Sequence, residues 1–270
     1  MNKLTIINDD NLSSLLRMPT NSINLIYIDP PFNTLKTQKL KSIKTKKDEN
    51  GKRKVDKVLS EYSFEDTLGT SYLDFLKERI TVSRNILSKN GSFFCHVDYR
   101  EVHYVKIMLD EIFGRKSFMN EIIWSYDYGA KSKKRYATKH DNILWYAKDP
   151  NNYIFNYDKI DRVPYLAPSL CGPEKAKRGK VITDVWFSTI VPTNGKERTG
   201  YPTQKPLKIL ERIVKMHSNE GDLLLDFFAG SGSFGEAAIK HNRDCILIDN
   251  NSQAIEVMKK RFSNVSYTTL

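Results

Sequence analysis

Short, nearly continuous apolar runs alternate along this chain with stretches in which apolar residues recur every three or four positions. Leu4–Ile7 is the first run; it ends at the acidic pair Asp9–Asp10, and LSSLLRM follows with helical spacing. Asn24-Leu-Ile-Tyr-Ile-Asp29 is apolar at successive positions, the pattern of a strand covered on both faces, and Pro30-Pro31 ends it. From Ser71 to Leu87, Leu73, Leu76, Ile80 and Ile86 or Leu87 stand at helical intervals, with Asn90-Gly91 as a C-terminal stop. Ser92–Val97 reads as another buried strand, Val102–Phe113 as a helix, Glu121–Tyr126 as a strand and Asn142–Ala147 as a further apolar run. The pattern lapses over 149–198, which holds five of the ten prolines; so long a stretch without periodicity in a compact chain is usually functional. It resumes with a helix over Pro206–Ser218, a strand over Asp222–Asp226, a helix over Glu236–His241 and a strand over Cys245–Asp249. Such alternation predicts βαβ units and a mostly parallel sheet between two helix layers.

Composition narrows the possibilities. A chain of 270 residues can bury roughly three quarters of its unfolded surface without staples. Cys95, Cys171 and Cys245 are spaced too widely for a disulfide framework or a CxxC metal site, which predicts free thiols and no metal. No apolar run approaches the roughly 20 residues of a membrane span. The opening MNKLTIINDD lacks the apolar core of a secretory signal, so a soluble, cytoplasmic protein without a membrane partner is expected. The net charge of +11 attracts polyanions. Between Lys36 and Val58, ten Lys or Arg face three Asp or Glu, so this segment carries seven of the eleven net charges. With four aliphatic residues in 23 it reads as a mobile basic loop.

Two constellations carry chemistry. The turn Asp226-Phe-Phe-Ala-Gly230-Ser-Gly232-Ser-Phe-Gly235 follows a strand and opens a helix, and glycines there let the backbone approach a ligand or pack closely. Asp249, 23 residues beyond Asp226 at the next strand's end, can accept both hydroxyls of a ribose or cap the following helix. The carboxylate of Asp226 would repel a pyrophosphate, so a nucleoside bearing an ammonium group fits this turn better than a dinucleotide. The second constellation is Asp29-Pro30-Pro31-Phe32 at a strand's carboxyl end, where open α/β sheets bind ligands. Two prolines make a stiff, donor-poor corner. A carboxylate, a fixed carbonyl and a flat ring match an exocyclic amine on an aromatic base, whereas a loop with Phe32 in the core would explain the prolines and leave Asp29 unpaired at a sheet edge.

IYIDPPF, YPTQKP at Tyr201–Pro206 and DFFAGSG at Asp226–Gly232 resemble, in that order, the signature set of the β-group DNA amino-methyltransferases. The segments LSKNGSFFCHVD, KHDNILWYAK and the DVW at Asp184–Trp186 extend the resemblance over nearly the whole chain. It implies a Rossmann-like α/β fold, a mostly parallel seven-stranded sheet with one antiparallel strand and helices on both faces. It also implies S-adenosylmethionine (AdoMet) as the methyl donor. Carried over by position, Asp226, Gly230 and Gly232 would hold the methionine part, Asp249 the ribose and Asp10 the adenine, with Phe228 and Ala229 of the same turn also in the cofactor site. Thr203 and Lys205 would close over the methionine carboxylate, with Pro206 as the first helical residue. Phe227, Tyr201, Ser233 and Asp9 depart from the residues most frequent in the family at those positions.

The resemblance further implies adenine-N6 methylation of double-stranded DNA. Asp29 and the Pro30 carbonyl would hold the amine, with Pro31 fixing the corner and Phe32 stacking on a flipped-out base. A cognate restriction endonuclease and a homodimer are the partners the family suggests. Residues 1–148 would form the catalytic part, 149–198 the target-recognition region and 199–270 the AdoMet-binding part. Lys131, Lys133, Lys134 and Arg135, interleaved with Tyr126, Tyr128 and Tyr136, read as backbone-gripping groups or as a solvated face. His140 packs or takes part in chemistry. Two alternatives stand beside this reading. One is cytosine-N4 methylation, for which the family usually has Ser in place of Asp29; the other is a DNA-binding protein with a decayed catalytic site.

Overall fold

A computed structural model describes all residues except 1–2, 35–37, 48–51, 65–68, 130 and 193. In chain order the strands are β1 (Leu4–Asn8), β2 (Ile23–Ile28), β3 (Gln38–Lys47), β4 (Arg53–Phe64), β5 (Leu87–Val97), β6 (Phe118–Ser125), β7 (His140–Ala147), β8 (Arg162–Val163), β9 (Lys180–Val181), β10 (Val185–Phe187), β11 (Leu223–Asp226), β12 (Asp244–Asp249) and β13 (Tyr267–Thr269). The α-helices are α1 (Asn11–Leu16), α2 (Tyr72–Ile86), α3 (Val102–Phe113), α4 (Pro173–Arg178), α5 (Leu207–His217), α6 (Ser233–Lys240) and α7 (Ser252–Arg261).

One sheet organises the molecule, in the order β10-β6-β7-β5-β2-β11-β12-β1-β13. β7 runs antiparallel to β5 and β6; the other pairings in this sheet are parallel. The sheet therefore has nine strands instead of the seven expected. β10 and β13, three residues each, extend its two edges, and runs that short carry no legible alternation. Along the central strands successive side chains enter opposite layers, as the two-residue period of a strand requires. Leu25, Tyr27, Phe94 and Leu224 pack with α5, α6 and α7, whereas Ile26, Ile28, Phe93 and Leu225 pack with α1, α2 and α3.

The basic segment read as a mobile loop is different where it is described: β3 and β4 pair antiparallel in a two-stranded sheet of their own. Sparse aliphatic residues argue against burial, but two facing strands satisfy each other's backbone groups without a core. Residues 36, 37 and 48–51 of that segment lie outside the described residues. Gly91 is not a helix stop. It lies inside β5, where a Cβ would come within 2.7 Å of Leu87 and 2.9 Å of the Asn24 carbonyl. The segment 149–198 holds β8, β9, α4 and β10 among loops.

Topology places the chemistry. β2 and β11 are neighbours, with Leu224 opposite Leu25, yet the chain proceeds from β2 to β5 on one side and from β11 to β12 on the other. That divergence opens a crevice outside the carboxyl ends of the strands. Asp29, Asp226 and Asp249 all stand at those ends.

Candidate active site

The crevice is a cavity of about 1190 Å³ lined by Asp10, Asp29, Pro30, Pro31, Phe32, Thr203, Lys205, Asp226, Phe228, Ala229, Gly230 and Asp249, among others. Tertiary structure thus gathers every expected site residue except Gly232 around one space. Gly232 is left-handed at the start of α6, and a Cβ there would come within 2.9 Å of Met258 and 3.1 Å of Phe262. Its smallness serves the packing of α6 against α7. Gly230 is the glycine of close approach: φ is +49°, and a Cβ would come within 3.2 Å of the Tyr201 ring.

The half of the cavity beside β11 and β12 is acidic. The Gly230 N–H donates to Asp249 Oδ2 at 2.8 Å, and the Asn251 N–H donates to Oδ1 at 2.8 Å. Burial pushes the Asp249 carboxyl up. Asp226 accepts from the Phe228 N–H at 2.9 Å. Its burial, together with the nearby Asp29 and Asp249, raises its carboxyl well above the usual range. A cationic group placed here would relieve that cost.

Asp10 caps α1 through the Ser13 N–H at 3.0 Å and accepts from Arg79 at 3.1 Å. Arg79 also donates to Asn11 Oδ1 at 2.6 Å, and Asn11 Nδ2 donates to the Phe227 carbonyl at 2.8 Å, so α1 is stitched to the glycine turn. Phe75, with the Arg79 guanidinium 3.7 Å from its ring centroid, stands beside Phe228 with ring centroids 6.0 Å apart. Asp9 turns instead to an ion pair with Arg17.

The β2 half is built around Asp29. Lys205 Nζ donates to both Asp29 oxygens, at 2.7 and 2.6 Å, and lies 4.6 Å from the Phe32 ring centroid. Thr203 has φ +60°, a left-handed conformation strained for a β-branched residue, two positions before this lysine. Pro206 caps α5 from an extended conformation and is not its first helical residue. Phe32 stacks on His96, with centroids 6.0 Å apart and planes 29° from parallel.

His96 belongs to a buried network that the sequence reading did not single out. Tyr27 Oη lies 2.8 Å from His96 Nδ1, His96 Nε2 lies 3.2 Å from Asp141 Oδ2, and Tyr126 Oη donates to Asp141 Oδ1 at 3.0 Å. Burial opposes the Asp141 charge, but His96, the nearby Lys205 and Tyr126 together hold its carboxyl below the usual range. The signal lay in KHD: strand alternation turns Asp141, not His140, toward the cavity. Tyr128, Gly129 and Thr138 from the basic β6–β7 connection line the cavity, as do Ile190, Val191 and Arg198.

Among the described lining residues six carboxylates face Arg100, Arg198 and Lys205. This donor set fits AdoMet. Asp226 and its neighbours suit an ammonium and a sulfonium, Asp249 suits a diol, and Lys205 is within the same space as a partner for a carboxylate. Residues 23–260 match the DNA methylase family. The chain belongs to it.

This DNA methyltransferase is 31% identical to the DNA adenine methyltransferase YhdJ of Escherichia coli K12, over 97% of this chain and 84% of that protein. It is 30% identical to the type II methyltransferase M.HpaI of Haemophilus parainfluenzae, over 94% of this chain and 72% of the relative. Its fold is similar to that of the PvuII DNA methyltransferase, a cytosine-N4-specific enzyme, with a TM-score of 0.64, 17% identity, and 100% and 95% of the two chains covered. The family is AdoMet-dependent.

Proposed function

We propose that this methyltransferase, a β-group enzyme by its motif order, moves the methyl group of AdoMet to N6 of an adenine flipped out of double-stranded DNA. The observation that carries the reading is the placement of Asp29 and the Pro30 backbone across one cavity from Asp226, Gly230 and Asp249. An amine acceptor and a cofactor cradle then face the same reacting space. AdoMet supplies an activated methyl on a sulfonium. Asp226 with the Ala229–Gly230 backbone positions its methionine part, Asp249 its ribose, and Asp10 and Phe228 its adenine.

The target amine is conjugated with its ring and nucleophilic only when its lone pair is localised. Asp29 and the Pro30 carbonyl accept its two N–H donors and favour a pyramidal nitrogen. Bound AdoMet would supply a methyl on a sulfur that keeps the electron pair of the broken C–S bond, and the proton the amine gives up on accepting it would leave along the hydrogen bond to Asp29. Pro31 stiffens the corner, and Phe32, backed by His96, supplies a stacking face. Residues 149–198 and the β3–β4 hairpin read and grip the duplex. PvuII methyltransferase shares the fold, so fold does not choose between adenine and cytosine; Asp29 in place of serine favours adenine.

The same reading places the enzyme in the cytoplasm, as a homodimer with a cognate endonuclease. Analytical ultracentrifugation and a search for cleavage of unmethylated DNA by a co-expressed nuclease test those parts. For the central claim, DNA from a methylation-deficient host expressing the chain is digested to nucleosides and separated by mass spectrometry. N6-methyladenine is expected; N4-methylcytosine alone refutes the base, and AdoMet binding without any product supports a decayed site.

A further inference from the structure

Lys205 is bound to a different partner from the one its position in YPTQKP implies. Its ammonium holds both oxygens of Asp29 and covers one approach to the Phe32 ring. The side chain is 8% exposed. The two features that would receive a base, a free acceptor and an open aromatic face, are therefore both engaged by one cation. Nothing covalent fixes this arrangement. A lysine ammonium has three donors on a flexible four-carbon stem and moves between acceptors by bond rotation. Leaving it buried without an anion is costly, whereas exchanging one carboxylate for another is close to balanced. A second carboxylate within reach therefore releases Asp29 at little cost. The Asp226–Gly230 cradle and Lys205 border the same cavity, so the carboxylate of AdoMet is such a competitor.

We propose that Lys205 is a positioning residue that makes entry of the target base depend on bound cofactor, by passing from Asp29 to the cofactor's carboxylate. The inference rests on the adenine-acceptor role given to Asp29 above. It sets an order of events: without cofactor the acceptor is locked, and with it Asp29 and Phe32 are free to receive the base. The device protects against unproductive flipping, because a base enters only when a methyl donor is in place.

The test uses the full-length protein and a duplex carrying 2-aminopurine at the adenine identified by nucleoside analysis and sequencing; its fluorescence rises when the base leaves the stack. S-adenosylhomocysteine, which has the carboxylate, and its decarboxylated analogue S-adenosyl-3-thiopropylamine, which keeps the ammonium and lacks only the carboxylate, are the two probes. Saturating S-adenosylhomocysteine is expected to favour the flipped state by about 5- to 150-fold, the usual span of coupling between two sites. The saturating decarboxylated analogue is expected to leave it unchanged. Lys205→Met should flip the base equally with and without S-adenosylhomocysteine, and Lys205→Arg should restore part of the dependence. Equal flipping with both probes in the unaltered protein, or coupling retained in Lys205→Met, overturns the inference. The two-probe comparison decides the matter even where a variant fails to fold. Formation of methyladenine with either overturning result refutes only the lock; absence of methyladenine refutes the reading on which it rests.

Discussion

His217 is expected to make this protein acid-sensitive by an amount that can be worked out beforehand. The residue ends α5, and its ring lies 4.3 Å from Trp145, 4.8 Å from Phe94 and 5.4 Å from Phe155, centroid to centroid. Nδ1 is buried without a partner among the described residues, so a second proton would find no acceptor. Burial lowers the imidazole from 6.5 to about 3, against a backbone hydrogen bond with Ile154 that pulls the other way. Because the folded value is the lower one, the unfolded chain binds more protons below pH 6.5. The stabilisation is complete above that pH and is lost as pH falls toward 3. Between pH 7 and 4.5 the loss is about 2–3 kcal/mol, from 1.36 kcal/mol per pKa unit. Other groups titrate in the same range, so the informative quantity is the difference between the protein and His217→Phe, which keeps an aromatic ring and removes the titration. Urea unfolding followed by tryptophan fluorescence across this pH range should show the stability of the protein relative to His217→Phe falling by about 2–3 kcal/mol on acidification. A difference independent of pH would refute the reasoning.

Asp29→Ala leaves Lys205 buried without its anion, so it should bind S-adenosylhomocysteine at least as tightly as the unaltered protein in calorimetry while losing methyl transfer by orders of magnitude, because the target amine loses its proposed acceptor. Asp249→Ala orphans the Gly230 and Asn251 N–H groups, so it should lose about 1–3 kcal/mol of cofactor affinity and a similar amount of stability per orphaned donor; unchanged affinity and melting would contradict the cradle. Cofactor affinity should weaken as pH falls through the raised Asp226 value, since a protonated carboxyl loses its attraction for the ammonium. Asp226→Asn should flatten that profile, and a parallel profile in the variant argues for another group. Removing the β3–β4 hairpin should lower affinity for all duplexes alike and reduce the salt dependence by about 0.9 log units per lost phosphate contact; an altered recognition sequence would show that the hairpin reads bases.

Much of the fold was legible because periodicity is local. The helix over Val102–Phe113 matches its apolar spacing residue for residue, and β2, β11 and β12 follow runs whose apolar character reflects cover on both faces. Legibility failed where a strand owes its existence to a neighbour. β10 and β13 are three-residue edges held by β6 and β1, and the β3–β4 hairpin forms from residues whose composition suggested a loop.

By itself the sequence determined the chemistry on offer: a carboxylate before two prolines, a glycine turn after an acidic strand end, and a second strand end at Asp249. Each motif is a short contiguous string whose backbone geometry its own residues dictate. Only the tertiary structure decided how they combine. Pairing β2 with β11, almost two hundred residues apart, faces Asp29 toward Asp226 and lets Lys205 reach Asp29. It also separates two glycines of one turn, Gly230 against the cavity and Gly232 in the helix packing. Strand alternation across β5 and β7 brings His96 and Asp141 together behind Phe32. Such contacts depend on register and crossing between distant elements, and no local pattern encodes them.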